Sequence, residues 1–170
     1  MAALPSSTLV TIEEYLNTAY DPDVEYIDGV LEERNVGDWL HALVQLNIGV
    51  ALKVKYPHLK VASELRSRTT DTRFRLPDVS VVLARPTDVR YLADAAYLVV
   101  EVLSPEDRIP RVLGKLREYQ NKGVPNIWVV DPHERTMFEY QNYTLSEVLG
   151  DEICTRDGEV RLTRDEIFAE

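Results

Sequence analysis

The sequence lacks most features of an exported or membrane-bound protein. Cys154 is the single cysteine among 170 residues, which excludes an intrachain disulfide and a zinc site built from several cysteines. The N-terminal stretch MAALPSSTLV has neither the basic start nor the apolar core of a signal peptide. No apolar run approaches the roughly 20 residues that span a bilayer. We therefore expect a cytoplasmic protein that does not associate with membranes.

Positive charge is also scarce, because 19 Lys and Arg stand against 29 Asp and Glu, giving a net charge of −10. This balance argues against a sequence-indifferent nucleic-acid binder, since such proteins normally present a basic surface to phosphates. An acidic protein of this kind can still contain a local basic groove or a metal-loaded site. Hydrophobic residues make up 45 % of the chain. We therefore predict one folded domain over residues 1–170.

Turn and cap signals predict an alternation of helices and strands. Asp28-Gly29 is typical of a hairpin turn, and Gly123 is typical of the end of a helix over 109–122. That helix lies inside a strand–helix–strand unit from 96 to 131, which implies a parallel pair with a right-handed crossover. The predicted fold class is α/β or α+β, with one mixed β-sheet flanked by helices and an N-terminal helix and hairpin.

Two further segments carry specific structural predictions. KVASELRSR and RFRLPDVSVVLA are each interpreted as one strand, joined by the polar turn TTDT. The longest helix is predicted over 38–55, with Asp38 as its N-terminal cap. Its inner face is predicted to consist of Leu40, Val44, Asn47, Ala51 and Val54.

Two apolar strands each contain an unexpected carboxylate. Asp78 stands at the head of the strand that begins at Pro77, and Glu101 lies in the middle of YLVVEVLSP. A buried carboxylate must be paired, hydrogen-bonded or metal-bound, since desolvating a lone charge costs many kcal/mol. Lys115 occupies a slot in the apolar stripe of the 109–122 helix, where it could aim its ammonium at both acids. Carboxylate oxygens suit Mg²⁺ or Mn²⁺.

Each of these residues also has a purely structural interpretation. Asp78 follows a proline and could simply satisfy a turn, while Glu101 could form an internal salt bridge. Lys115 could pack its aliphatic stem and extend its amine to solvent. The convergence of three charged groups where hydrocarbon is expected favours a functional site.

Several motifs, in this order and spacing, resemble the Uma-two-type restriction endonuclease family of the PD-(D/E)xK nuclease superfamily. They are PDVSVV, YLVVEVLSP, the lysine with EY after it, and GVPNIWVVDP, together with EYIDGVLEE and LSEVLGDEI. The resemblance covers about residues 10 to 168. It implies metal-dependent cleavage of nucleic-acid phosphodiesters, with DNA as the expected partner.

The resemblance also implies roles for individual residues. Asp78 and Glu101 would bind Mg²⁺ or Mn²⁺ with help from the Val102 carbonyl, and Lys115 would complete the catalytic set. The sequence departs from the superfamily pattern at Leu103, where a lysine is usual, so the lysine would come from the following helix. A homodimer fits the cleavage of both strands of a duplex.

Weaker signals lie nearby. Glu64 is a candidate outer ligand or an exposed acid, and His41 is a candidate accessory residue or a packing histidine. A cationic hairpin could bind a polyanion, or its charges could merely protect a sheet edge; it would contain Arg66, Arg68, Arg73 and Arg75. A rival hypothesis is a catalytically inactive nuclease-fold protein that serves as a binding or assembly module, and hydrolysis of another phosphoester is a third.

Overall fold

The computed structural model describes residues 9–170, so most of the stretch used for the signal-peptide prediction lies outside the described residues. Within 9–170, no helix combines the length and apolarity needed to cross a membrane. The elements, in chain order, are α1 (Ile12–Asn17), β1 (Glu25–Ile27), β2 (Val30–Glu32), α2 (Trp39–Lys55), β3 (Lys60–Ser63), β4 (Ser67–Thr70), β5 (Arg73–Arg75), β6 (Val79–Val82), β7 (Leu98–Val102), α3 (Ile109–Lys122), β8 (Asn126–Asp131), β9 (Thr136–Gln141), β10 (Thr144–Glu147), β11 (Glu152–Cys154), β12 (Arg161–Thr163) and α4 (Arg164–Phe168).

The main sheet has six strands in the order β10-β9-β8-β7-β6-β3. Its strands pair antiparallel except for β7 and β8, which run parallel and are connected by α3. Helix α3 ends at Gly123, whose φ of 99° is the left-handed conformation that glycine adopts without a steric penalty. The predicted mixed sheet, with a parallel pair joined through a helix, is therefore confirmed.

Helices cover both faces of this sheet. On one face, α2 and α4 pack with the β11–β12 pair over an apolar core that includes Ile48, Val100 and Trp128. On the other face, α3 packs Leu116 and Tyr119 against the sheet. Strand β7 is buried along its whole length, as expected for a strand covered on both sides.

A second, smaller sheet takes one part of each of the two long predicted strands. It has the order β2-β1-β5-β4 and packs on α1. KVASELRSR contributes β3 to the main sheet and β4 to the small one, with Glu64 at φ 51° in the break. RFRLPDVSVVLA is similarly divided at Leu76-Pro77 into β5 and β6. The prediction of two continuous strands is wrong because the chain changes sheets within each.

Helix α2 begins and ends where predicted, but its predicted inner face is only partly right. Val44 is buried and Ala51 packs against the core, whereas Val54 and Asn47 do not belong to that face. The Asp38 side chain accepts a hydrogen bond from the His41 amide, as an N-cap should. Val54 is 73 % exposed, and Asn47 donates to the backbone carbonyls at the end of α4. The side chains that α2 buries are His41, Val44, Ile48 and Leu52.

Candidate active site

The strand register brings Asp78 and Glu101 together. Val79 of β6 pairs antiparallel with Val100 of β7, so one residue further along Asp78 lies opposite Glu101. Both carboxylates are buried, and Lys115 reaches them from α3, with its Nζ 2.7 Å from Glu101 Oε2. All three line one pocket of about 40 Å³, which can hold an ion and waters but not a large ligand.

Asp78 is held as a carboxylate by its neighbours. Its Oδ2 accepts the Val102 amide at 2.7 Å, and its Oδ1 accepts Arg34 at 2.8 Å. His41 Nε2 lies 3.5 Å from the same Oδ1. Burial alone would raise the pKa of Asp78, but His41, Arg34 and Lys115 outweigh it and lower the pKa. The Asp78 carboxylate is therefore charged at neutral pH.

Glu101 has a different balance of forces. Its two oxygens accept hydrogen bonds from Lys115 at 2.7 Å and from the Tyr119 hydroxyl at 2.6 Å. Burial raises the pKa of Glu101, and the attraction of Lys115 does not fully offset this effect. The two facing carboxylates consequently have pKa values shifted in opposite directions, a pattern typical of functional sites.

Lys115 is shared between two acids. Its Nζ also lies 3.2 Å from Glu25 Oε1, on strand β1 of the small sheet. Burial would lower the pKa of Lys115, but Glu101 and Glu25 raise it above its ordinary value. The ammonium group is therefore a permanent cation at neutral pH, suited to donating hydrogen bonds and not to accepting a proton.

Sequence reasoning missed Glu25 and Arg34. Glu25 is 1 % exposed and accepts hydrogen bonds from Arg75 at 2.9 Å and the Leu76 amide at 3.2 Å. Arg34 lies between β2 and α2 and connects Asp78 to Glu64. A faint signal existed for Glu25, because it is an acid at the start of an otherwise apolar strand; Arg34 lies outside any periodic element and gave none.

The accessory candidates take different positions. His41 and Val102 both line the pocket that contains Asp78 and Glu101. Glu64 pairs with Arg34 at 3.2 Å, but its side chain is 52 % exposed and does not line the pocket. The Glu64 side chain thus contacts the site through Arg34, while its backbone amide donates to the Asp78 carbonyl at 3.3 Å.

The predicted hairpin exists as β4–β5, but its arginines are not a free cationic surface. Arg66 and Arg75 are buried, the first against Asp23 and the second between Glu25 and Glu118. Ion pairs also occupy the remaining two, Arg68 with Asp71 and Arg73 with Asp28. A polyanion bound at this hairpin would have to displace the acids that pair with Arg68 and Arg73, while Arg66 and Arg75 are buried. Polyanion binding by the hairpin stays a prediction.

The donor set of the pocket fits a magnesium-like ion better than a zinc-like one. Within residues 9–170, no cluster of three His, Cys, Asp or Glu side chains is arranged as a preformed metal cage. Mg²⁺ commonly binds through one or two carboxylates and keeps waters or substrate phosphates as its other ligands. Asp78 and Glu101, with the Val102 backbone at the pocket wall, match that pattern.

Comparisons with known proteins identify the family and the fold. A family model, Uma2, described as "Putative restriction endonuclease", matches residues 12–160. Among solved structures, a putative nuclease belonging to DUF820 from Anabaena variabilis ATCC 29413 superposes with a TM-score of 0.79. The two are 22 % identical, and the match covers 94 % of this chain and 98 % of that chain, so they share a fold. Curated proteins gave no match.

Proposed function

The chain belongs to the Uma2 family of putative restriction endonucleases, and we propose that it is a divalent-metal-dependent nuclease that hydrolyses phosphodiester bonds of DNA. The observation that supports this proposal is the convergence of Asp78, Glu101 and Lys115 in one pocket. The family and the fold are those of nucleases, and the three residues supply the groups that phosphodiester hydrolysis needs.

In this proposal the two carboxylates and the Val102 carbonyl hold one or two Mg²⁺ or Mn²⁺ ions. When bound, the ion would polarise a phosphate oxygen and lower the pKa of a water ligand. Asp78 is prepared for this role because it already carries its charge. Glu101 gains stabilisation of its charged form from any cation placed beside it.

Lys115 stabilises negative charge in the proposed reaction. Its ammonium group stays protonated, so it donates a hydrogen bond to the phosphate or orients the attacking water. Glu25 and Glu101 fix its position from two sides, at 3.2 Å and 2.7 Å. Fixed donors of this kind are effective because they need little reorganisation during the reaction.

Helix α2 and Arg34 position Asp78. Gln45 donates to the Asp78 backbone carbonyl at 3.2 Å, and His41 faces its carboxylate. Arg34 is 19 % exposed at its side chain, so it can exchange Asp78 for an incoming phosphate. Arginine suits this exchange because its planar donors match phosphate as well as carboxylate.

A specific observation favours a second candidate, a catalytically inactive binding module. Lys115 and Tyr119 occupy both oxygens of Glu101, and Arg34 and Val102 occupy those of Asp78. Such a cluster can exist as a closed ion-pair network without a metal. Metal affinity and cleavage distinguish the two candidates.

The test is calorimetric titration with Mn²⁺ of the wild type, Asp78→Asn and Glu101→Gln, beside the exposed-acid control Asp151→Asn. We expect binding to disappear in both pocket variants and to persist in the control. Lys115→Met should keep metal binding and lose cleavage of plasmid DNA, which assigns the lysine to chemistry. A folded wild type that binds no metal, with or without DNA, would support the inactive module.

The proposal includes a homodimer, since two sites related by a two-fold axis can cut both strands of a duplex. Single-stranded DNA and RNA should be assayed beside the plasmid, because nothing in the pocket selects between them. Cleavage of RNA alone would refute the DNA assignment and leave the nuclease assignment intact.

A further inference from the structure

Helix α2 is apolar on two opposite faces. Its inner face packs Val44, Ile48 and Leu52 on the main sheet. Its outer face exposes Trp39 and Leu46, at 75 % and 64 % of their surface. A helix at a protein surface normally turns charged residues outward, so the outer face of α2 lacks the usual adaptation to water.

The outer apolar residues follow the spacing of a helix–helix interface. Trp39, Leu43, Leu46 and Val50 are separated by four, three and four residues, which places them along one line of the helix. We call these four residues the α2 seam. Leu43 is partly buried and Val50 is 51 % exposed, so the seam is accessible along its length.

A groove runs beside the seam, between α2 and β3. It has a volume of about 360 Å³, and Gly49 and Val61 are among the residues that line it. A Cβ atom built on Gly49 would meet no atom within 4 Å, so packing within the chain does not require glycine there. Glycine in a helix interior is destabilising relative to alanine, and its presence suits the close approach of another molecule.

We propose that the α2 seam packs on the α2 seam of a second copy of this chain, with the two helices antiparallel. This inference rests on the homodimer of the proposed function and identifies its surface. An isologous contact uses the same patch on both subunits, and the seam meets that requirement because it is continuous and apolar.

Charge permits a second copy at this face and disfavours it over most of the remaining surface. Two chains of net charge −10 repel each other over most of their surfaces. Helix α2 contains no acidic residue, and its cations, Lys53 and Lys55, lie in its last turn. The seam is therefore a place where two copies can meet without opposing acids.

The same charges select the antiparallel arrangement. Parallel helices would bring Lys53 beside Lys53 of the partner subunit. In the antiparallel arrangement, Lys53 instead faces Trp39 and Asp38 of the partner subunit, an aromatic ring and a carboxylate that both attract an ammonium. Asp38 is 39 % exposed at its side chain, but its carboxylate already pairs with His133 Nε2 at 2.8 Å and accepts the His41 amide. The Trp39 ring is therefore the stronger of the two contacts for Lys53.

The available area is that of a weak, transient interface. A 17-residue helix is about 25 Å long and 10–12 Å across. The strip is therefore about 250–300 Å² per partner, about half of the roughly 600 Å² at the lower limit of stable specific interfaces, and the β3 wall of the groove adds to it. We therefore expect a weak dimer, with a dissociation constant of roughly 100 µM.

The test is sedimentation velocity over a concentration series up to about 500 µM, above that dissociation constant. The variants are Leu46→Glu on the seam and Leu83→Glu as matched control, since Leu83 is a leucine exposed to 68 %. We expect sedimentation to show dimers for the wild type and Leu83→Glu and a monomer for Leu46→Glu. Circular dichroism should show that Leu46→Glu is folded. A monomeric wild type would overturn the proposal and leave the seam to a different protein. A dimeric Leu46→Glu would overturn this surface and keep the homodimer.

Cysteine cross-linking checks the orientation, in a Cys154→Ser background. Leu46→Cys lies near the proposed two-fold axis and should form a disulfide with itself. Trp39→Cys should not, because antiparallel helices separate the two positions by roughly 20 Å and disulfides need Cα atoms within about 7 Å. Cross-linking of both variants would refute the antiparallel arrangement. Neither readout depends on cleavage, and the seam lies outside the pocket, so the nuclease proposal is tested separately.

Discussion

Replacement of Glu25 by glutamine should remove much of the acid-sensitive stability of this protein. Glu25 is buried between Lys115 and Arg75. Burial would raise the pKa of Glu25, but these two cations lower it from 4.5 to about 2. Each pKa unit corresponds to about 1.4 kcal/mol. The ionised carboxylate therefore contributes roughly 3 kcal/mol to the free energy of unfolding at neutral pH.

The pH window follows from the direction of the shift. A carboxyl group with a lowered folded-state pKa stabilises the protein fully above pH 4.5, and this stabilisation is lost as the pH falls from 4.5 to about 2. Glu25→Gln keeps the size and one acceptor oxygen of the side chain and removes its charge. The variant should be less stable than the wild type by about 3 kcal/mol at pH 7, and the difference should shrink towards pH 2.

Urea unfolding at a series of pH values measures both quantities. Glu134→Gln provides the matched control, because Glu134 is an exposed glutamate that does not line the pocket. We expect this control to follow the wild type at every pH. Equal stability of wild type and Glu25→Gln at pH 7, or a difference that stays constant down to pH 3, would refute the reasoning from the ion pairs.

Three other substitutions test separate parts of the structure. Arg34→Met frees an oxygen of Asp78, because it removes the ion pair that competes with a metal ion for that oxygen. Calorimetry should therefore show Mn²⁺ binding about fivefold more tightly. Weaker Mn²⁺ binding would contradict this competition. Leu52→Ala should lower the free energy of unfolding, measured in urea, by about 3 kcal/mol, because Leu52 is buried. Val54→Ala should lower it by less than about 0.5 kcal/mol, because Val54 is 73 % exposed. Gly114→Ala should raise the stability by about 0.5–1 kcal/mol in the same assay, because the added Cβ meets no atom within 4 Å; a loss would show an unseen clash.

Local chemistry made part of the fold predictable. The turn at Asp28-Gly29 and the helix end at Gly123 depend on glycine in left-handed conformations, which sequence reveals directly. The division of each long strand between two sheets was not predictable, because both pieces keep a strand-like composition. At Glu64 the break requires a positive φ in a residue type that does not favour it. Only contacts distant in sequence can impose that conformation.

The residues of the candidate site were likewise only partly predictable from the sequence. Asp78, Glu101 and Lys115 could be identified because each places a charge where an apolar pattern requires none. Glu25 escaped notice because its partners Arg75 and Lys115 lie 50 and 90 residues further along the chain. Its significance appears only when the small sheet places β1 beside β5. A charge network of this kind is a property of the topology and not of any one segment.

The inner face predicted for α2 was only partly right, for a physical reason that also bears on function. Periodicity identifies a buried face only when the opposite face is polar, and α2 is apolar on both. Its inner face holds His41 and Gln45 against Asp78, while its outer face carries the seam that we propose for dimerisation. One rigid helix thus connects the candidate site to the proposed interface. In a dimer formed through α2, the distance between the two pockets would be set by this helix and not by flexible loops, a useful property for a nuclease that cuts two strands at a fixed separation.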